Sequence, residues 1–306
     1  MAKKKIILIA GPTASGKSKL AIKLAKVLNG EIINADSMQI YKEIKILSSR
    51  PSISDQKKVK HHLYATKSVK YQFSLGSWLQ HTKKKILGCF KRKKIPILVG
   101  GTGLYFKAIT DGLAVIPNIS TKHRSKIRNL QKEIGQIKFY NRLIKIDPMS
   151  KKKINIHDVQ RSLRAYEVKH YTDTSLFNWV KKTKRPFKDE IFVKIFLNAP
   201  KSILHARINK RVENMFREGA VSEVQQLMKL NFNERISSNK LIGVEDIKLY
   251  INKIISLDKA KERIKVKTRQ YAKRQFTWSR GHMKSWNKIF SENNDVLFKK
   301  VLSIAS

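Results

Sequence analysis

An uninterrupted apolar run from Ile6 to Ala10 predicts a short buried strand. The segment from Gly11 to Ser18 reads as a loop, and beyond it Leu20, Leu24 and Leu28 recur every fourth position, the stripe of an amphipathic helix over Lys17 to Leu28. The same rhythm returns further along. Glu31 to Ala35 reads as a second strand that ends at Asp36, Ile95 to Val99 as a third closed by Gly100 and Gly101, and Phe192 to Leu197 as a fourth closed by Pro200. Strands that alternate with helices predict an α/β fold built on a parallel sheet.

Between Leu113 and Pro186 the rhythm changes. Helical patterns such as Val159, Leu163 and Tyr166 appear and no strand does. The expected organisation is therefore an α/β core formed by residues 1–112 and 187–306, with 113–186 as a helical insertion near the carboxyl ends of the strands. From Lys201 onward the chain is again helical in pattern: Gly219 reads as a helix stop, a short helix carries Val224 and Leu227, and a basic helix covers Ala260 to Thr277. The lysines before Ile6 followed by an apolar run resemble the start of a secretory signal, but the run leads straight into a glycine-rich loop, so a buried strand with a solvated lysine lead-in is expected. No run of eighteen apolar residues occurs, and no membrane span is expected.

Composition changes this picture in two ways. Lys and Arg number 66 against 22 Asp and Glu, a formal net charge of +44, which favours polyanions and nucleic acid above all, although an A- and T-rich genome also enriches lysine. Cys89 is the only cysteine, which excludes an internal disulfide and a cysteine-based zinc cluster and makes the cytoplasm the expected compartment.

The chemistry concentrates first in Gly11-Pro12-Thr13-Ala14-Ser15-Gly16-Lys17-Ser18, which fits the phosphate-binding pattern G-x-x-x-x-G-K-[ST] between a strand and a helix. The glycines let the backbone curl so that several N–H groups converge on one anion, and the helix N-terminus adds its dipole. Lys17 supplies a point charge and Ser18 a hydroxyl for Mg²⁺, in a fold of the P-loop NTPase type. The metal-holding aspartate of kinases and ATPases has one candidate strand end, Asp36, because Ile95 to Val99 ends in Gly-Gly-Thr. Asp36 is thus a metal-linked carboxylate, a base facing a nucleophile, or a helix cap; spacing leaves these open.

Further motifs follow in order: Ile32 to Tyr41 (Ile-Ile-Asn-Ala-Asp-Ser-Met-Gln-Ile-Tyr), His61-His62-Leu63, Leu98 to Tyr105 (Leu-Val-Gly-Gly-Thr-Gly-Leu-Tyr), Asp158 to Val168, and Thr268 to Trp278 (Thr-Arg-Gln-Tyr-Ala-Lys-Arg-Gln-Phe-Thr-Trp). Together they resemble the tRNA dimethylallyltransferases, nearly from end to end. The resemblance implies transfer of a dimethylallyl group from dimethylallyl diphosphate to the exocyclic amine (N6) of the adenosine 3′ of the anticodon, with release of pyrophosphate and use of Mg²⁺, by an enzyme expected to be monomeric. It makes Asp36 the general base and Thr102 a group at the reacting centre. It makes Ser37, Met38 and Gln39 tRNA contacts beside Asp36, and Gln160, Arg161, Ser162, Leu163 and Arg164 a segment that engages the anticodon stem-loop. It places diphosphate-binding arginines in the helix that holds Arg207 and Arg211, which lie four residues apart on one ridge. Departures are Leu47-Ser48-Ser49-Arg50-Pro51 in place of Gly-Thr-Ala-Lys-Pro, Ile242-Gly243-Val244 in place of Ile-Gly-Tyr, and Ser279 and Arg280 after Trp278.

Each assignment has a plainer counterpart. Thr102 is also placed to cap the helix that begins near Gly103, and His61 with His62 reads as packing and not as metal ligation. Gln160, Arg161 and Arg164 share a helix side opposite Leu163, where a solvated face would look the same. Lys267, Tyr271, Arg274 and Trp278 form a stripe, and with Lys273 they suit either stacking on RNA or core packing. Two other enzyme classes share the phosphate loop, a small-molecule kinase and an adenylate isopentenyltransferase. The first would consume ATP without RNA, and the second would have no use for so basic a carboxyl-terminal half.

Overall fold

The computed structural model describes residues 4–230, 241–290 and 294–305, so the lysine lead-in at 1–3 lies outside the described residues. In chain order the elements are β1 (Ile6–Ala10), α1 (Lys17–Val27), β2 (Gly30–Asn34), α2 (Ile53–Lys58), β3 (His61–His62), α3 (Leu75–Lys91), β4 (Ile95–Gly100) and α4 (Gly103–Asp111). Then come α5 (Thr121–Ile146), α6 (Val159–Thr172), α7 (Leu176–Lys181), β5 (Phe192–Asn198), α8 (Lys201–Arg217), α9 (Ala220–Lys229), α10 (Val244–Ile251), α11 (Leu257–His282), β6 (Asn287–Phe290) and α12 (Asn294–Ala305). No helix among the described residues is long and apolar enough to cross a membrane.

The strands form one six-stranded sheet in the order β3-β2-β4-β1-β5-β6, and every pairing is parallel. All five residues of β1 are buried because both faces are covered. Ile6, Leu8 and Ala10 join one apolar cluster with Trp78, Phe106, Val212 and Ile264, whereas Ile7 and Ile9 join another with Leu20, Leu24 and Val301. Such two-sided burial is why the parallel strands read as continuous apolar runs. Four strands were legible in the sequence; β3 and β6 were not. β3 has only two residues, and β6 is exposed except at Ile289.

The edge strand β3 is held by a buried ion network. Glu31 accepts from His62 Nε2 at 2.6 Å and from Arg92 at 3.1 Å (Nε) and 2.6 Å (Nη2), with the Cys89 thiol at 3.4 Å. Glu31, His62 and Cys89 bring three metal-capable atoms within 4.8 Å of one another, but the Arg92 guanidinium already neutralises the carboxylate, and both of its oxygens are engaged. Burial by itself pushes the Glu31 carboxyl up; the hydrogen bonds from Arg92, His62 and Cys89 outweigh it and hold the group down to about 2. A carboxyl lowered on folding stabilises above its unfolded value and loses that contribution as pH falls through its folded one. Glu31→Gln is therefore expected to lower the urea midpoint at neutral pH, with the gap to the parent closing as pH drops from 4.5 towards 2. Urea titrations across that range check it.

The chain divides into two compact units, Met1–Thr110 with Phe187–Ser306, and Asp111–Pro186. Within the smaller one, α5 is broken at Gly135, whose φ of 76° favours glycine, and its two halves flank α6. Phe139, Ile127 and Leu163 form one apolar contact, and Tyr140, Leu143, Ile154 and Ala165 a second. The buried Glu167 of α6 faces Arg128 at 3.9 Å and Arg164 at 3.5 Å.

Candidate active site

Three strand ends build the site. β1, β4 and β2 are adjacent, and the loops that leave their carboxyl ends carry the phosphate motif, Gly101-Thr102 and Asp36 respectively. β1 is where the chain order turns from one side of the sheet to the other, the position at which open α/β sheets form their ligand crevice.

In the phosphate loop Ala14 and Gly16 take left-handed conformations (φ 63° and 88°), which curl the backbone. The amides of Ala14, Gly16, Lys17 and Ser18 make no hydrogen bond among the described residues, so they remain free for an anion at the start of α1. Gly11 is required by crowding: a Cβ there would stand 2.6 Å from the Leu197 carbonyl. Lys17 Nζ donates to the Pro12 carbonyl at 2.6 Å and to Ser15 Oγ at 3.3 Å. Burial lowers its ammonium to about 8; the Asp36 charge opposes that shift and Arg211 adds to it. Arg211, on α8, donates to Thr13 Oγ1 at 3.0 Å, and its Nε is buried without a partner among the described residues. Burial likewise lowers the Arg211 pKa, against the pull of Asp36. The loop thus faces two desolvated cations with donors to spare, the electrostatic requirement for a diphosphate. Of the two arginines expected here it is Arg211 that reaches the loop; no described hydrogen bond or ion pair joins Arg207 to it. Ser18 is exposed on the first turn of α1.

Asp36 sits in a loop shaped by its neighbours. Asn34 accepts from the Asp36 amide at 2.8 Å and donates to the carbonyls of Asp36 (2.9 Å) and Leu63 (3.0 Å). Asp36 Oδ1 accepts from the Met38 amide at 2.9 Å, and no helix starts there, so the helix-cap reading does not apply. Thr102 Oγ1 accepts from the Ser37 amide at 3.0 Å and donates to Ser37 Oγ at 3.4 Å. Its hydroxyl therefore ties the end of β4 to the Asp36 loop, where the sequence also allowed a cap on α4. Besides the two cations, the Asp36 charge reaches Tyr64, Tyr105 and Tyr271; each phenol is raised by burial first and by Asp36 second.

Several expected contacts are placed differently. Gln39 spends both hydrogens of its amide nitrogen on the carbonyls of Ser48 and Ser49, at 3.0 and 3.1 Å, so it shapes the loop and its NH₂ is not left for RNA. Arg50 turns inward to the carbonyls of Tyr41 (2.9 Å) and Lys42 (3.2 Å). Within the insertion, Ser162 (0% exposed) and Leu163 (7%) point into the α5–α6 packing, which corrects their reading as RNA contacts; Gln160 and Arg161 are exposed and Arg164 half-buried. Trp278 is half-buried. Its ring lies against Gly103, where a Cβ would be 2.3 Å away, and it stacks on His282 at 4.3 Å. Much of the basic character of α11 is internally matched: Lys261 and Lys265 pair with Glu213, Arg263 and Lys267 with Asp246, and Arg269 with Glu262. Lys273 and Arg274 are exposed.

Two residues not singled out from the sequence complete the geometry. Glu223 of α9 accepts the amides of Lys45 (2.7 Å), Ile46 (2.7 Å) and Leu47 (3.0 Å), and Gln275 of α11 bridges two of the strand-end loops. Gln275 lies inside the Thr268 to Trp278 motif, a signal that could have found it; Glu223 has no comparable signal.

The chain is similar to known proteins over nearly its whole length. Residues 39–282 match the family described as IPP transferase, and residues 4–73 match that described as isopentenyl transferase. A tRNA dimethylallyltransferase of Pelagibacter ubique is 50% identical over 297 residues, 97% of this chain and 95% of the relative; one of Rickettsia felis is 39% identical over 305 residues, 99% and 98%. Among solved structures, the tRNA isopentenylpyrophosphate transferase of Bacillus halodurans aligns with TM-score 0.71 at 29% identity, covering 99% of this chain and 96% of that one. A eukaryotic dimethylallyltransferase acting on tRNA aligns with TM-score 0.77 at 29% identity, covering 90% and 70%.

Proposed function

The chain belongs to the tRNA dimethylallyltransferase family and transfers a dimethylallyl group to tRNA, and from that premise we propose how its residues share the reaction. The donor is dimethylallyl diphosphate and the acceptor the N6 amine of the adenosine 3′ of the anticodon, which leaves its stack to enter the site. The bond from the donor's C1 to the ester oxygen of the diphosphate breaks, and the C1–N6 bond forms. Diphosphate departs with the electron pair, and the amine proton passes to Asp36. An aromatic amine is a weak nucleophile, so proton acceptance as the bond forms lowers the barrier. The loop amides, Lys17 and Arg211 hold the donor and meet the charge that grows on the leaving diphosphate. Thr102 holds the Asp36 loop in place.

The observation that carries this reading is the convergence, at the carboxyl ends of adjacent strands, of an anion-binding loop and a half-buried carboxylate whose charge reaches both Lys17 and Arg211. Prenyl transfer of this kind typically uses a divalent cation, and we assign Mg²⁺. The fit rests on hard oxygen donors: the exposed Ser18 hydroxyl at the head of α1 would hold it, with the diphosphate oxygens and water completing the set. When bound, the ion supplies charge neutralisation to the leaving group. We assign the enzyme to the cytoplasm as a monomer, with Gln160, Arg161 and Arg164 of the insertion engaging the anticodon stem-loop. Labelled dimethylallyl diphosphate offered with tRNA, with AMP, or with ATP and no RNA separates the readings. Label in tRNA alone is expected; transfer to AMP, or ATP turnover without RNA, would replace this function.

Charge is used unevenly. Because five basic residues of α11 already have acidic partners, Lys273 and Arg274 are expected to carry its phosphate contacts. Replacing both by Gln should weaken matched and mismatched stem-loops alike and reduce the slope of log affinity against log salt by about one to two units. Gln160→Ala should reduce discrimination between the two stem-loops with the slope nearly unchanged. Salt titrations of binding measure both; an unchanged slope in the double variant would remove Lys273 and Arg274 from the RNA surface.

A further inference from the structure

We propose that Gln275 is a positioning residue that sets the register between the donor-holding loop and the acceptor side of the site; the proposal rests on the transfer reaction above. Its side-chain amide works at both ends. Oε1 accepts from the Thr13 amide at 2.8 Å, in the loop after β1, and Nε2 donates to the Gly101 carbonyl at 2.9 Å, in the loop after β4. It is the one side chain among the described residues that hydrogen-bonds to both loops.

The surroundings show that the clamp is built in. Thr13 is held a second time, by Arg211 at 3.0 Å on its hydroxyl. A Cβ on Gly101 would lie 2.2 Å from Gln275 Nε2, so only glycine admits the amide to its carbonyl. One helical turn further along α11, Trp278 occupies the space a side chain on Gly103 would need, at 2.3 Å, while a Cβ on Gly100 would strike the Ala35 carbonyl at 2.0 Å. The glycines around Thr102 therefore let two neighbours approach at once, the β2 end that leads to Asp36 and the Gln275–Trp278 face of α11.

The chemistry explains why such a bridge matters. The sheet pairs β1 with β4 as far as Ala10 and Gly100, and beyond that pair no ladder fixes one loop against the other. The donor is held by the first loop, and the amine is set by the Asp36–Thr102 side. Each binary affinity depends on its own loop, but bond formation needs C1 and N6 in attack contact, so the rate depends on the register between the loops. An amide suits the task because it presents one acceptor and one donor on a single rigid plane. A carboxylate would set two acceptors against Thr13 N–H and the Gly101 carbonyl, and an apolar side chain of the same size would serve neither.

The test uses the full-length protein with Gln275→Leu and Gln275→Glu, assayed by single-turnover transfer from dimethylallyl diphosphate to tRNA, with separate binding titrations of a dimethylallyl thiodiphosphate analogue and of tRNA. The expected result is a single-turnover rate constant lower by about 10–10² in both variants, with each separate affinity unchanged. A purely structural role would reduce the amplitude, which counts folded sites, and leave the rate constant as in the parent; that result overturns the proposal. So does a loss confined to diphosphate affinity, or parental rates in Gln275→Glu. Absence of transfer by the parent would sink the reaction itself, whereas a competent parent with unimpaired variants sinks this inference alone.

Discussion

Asp36→Asn is expected to keep tRNA binding and to slow transfer by about 10²–10⁴, the usual contribution of a general base. The amide matches the carboxylate in shape, and its oxygen can still accept from the Met38 amide, so the loop geometry survives while the basicity is lost. The charge change has a second consequence. Asp36 opposes the lowering of the Lys17 and Arg211 pKa values, and the same negative charge repels a diphosphate. Its removal should therefore leave diphosphate affinity unchanged or slightly tighter while the rate falls. Rate and both affinities are measured separately. Parental turnover would show that Asp36 is not the base, and joint loss of binding and rate would reassign it to positioning or to the metal.

Lys17→Ala should remove diphosphate affinity and transfer together, with kcat/KM for the donor lower by about 10²–10³, the scale for truncating one side of a desolvated charge pair. Both fall because Lys17 meets charge in the bound donor and in the leaving group. Normal turnover by the folded variant would contradict the site assignment. The parent also carries a pH signature. Burial lowers the ammonium from 10.5 to about 8, so the folded protein holds fewer protons than the unfolded chain between those values. Stability from this group accordingly rises with pH across that window, and below about 8 the cost of the buried charge is present in full. Diphosphate favours the charged form. In metal-free buffer the parent's donor affinity should thus decline as pH climbs above about 8, and that of Lys17→Met should not. Isothermal titration at several pH values checks the difference.

Much of the site could be read before folding was considered, and the reason is local. A phosphate loop needs glycines, a lysine and a hydroxyl within eight consecutive residues, and a strand buried on both faces needs an unbroken apolar run, so β1, its loop, α1 and the Asp36 strand end all declare themselves in sequence. The helix α6 could be seen for the same reason, since its apolar stripe (Leu163, Tyr166) has helical period. What a residue faces is a different matter. The stripe of α6 shows that Leu163 must be covered, but that Phe139 and Ile127 of α5 cover it, while Gln160 and Arg161 stay exposed, is set only by the fold. The basic residues of α11 carry no mark in sequence of which are matched; Glu213 of α8 and Asp246 of α10 lie beside Lys261, Lys265, Arg263 and Lys267 only in the folded chain. Arg207 and Arg211 have equal sequence credentials; the rotation of α8 selects Arg211. Gln275 lies more than 170 residues from Gly101 and farther still from Thr13, so no local pattern announces its bridge. Sequence by itself determined the fold class, the phosphate loop and the carboxylate at the strand end, because each is specified by neighbours along the chain. Tertiary structure decided which cations remain for the ligand and which glycines admit which side chains, because those depend on elements that meet only when the sheet closes.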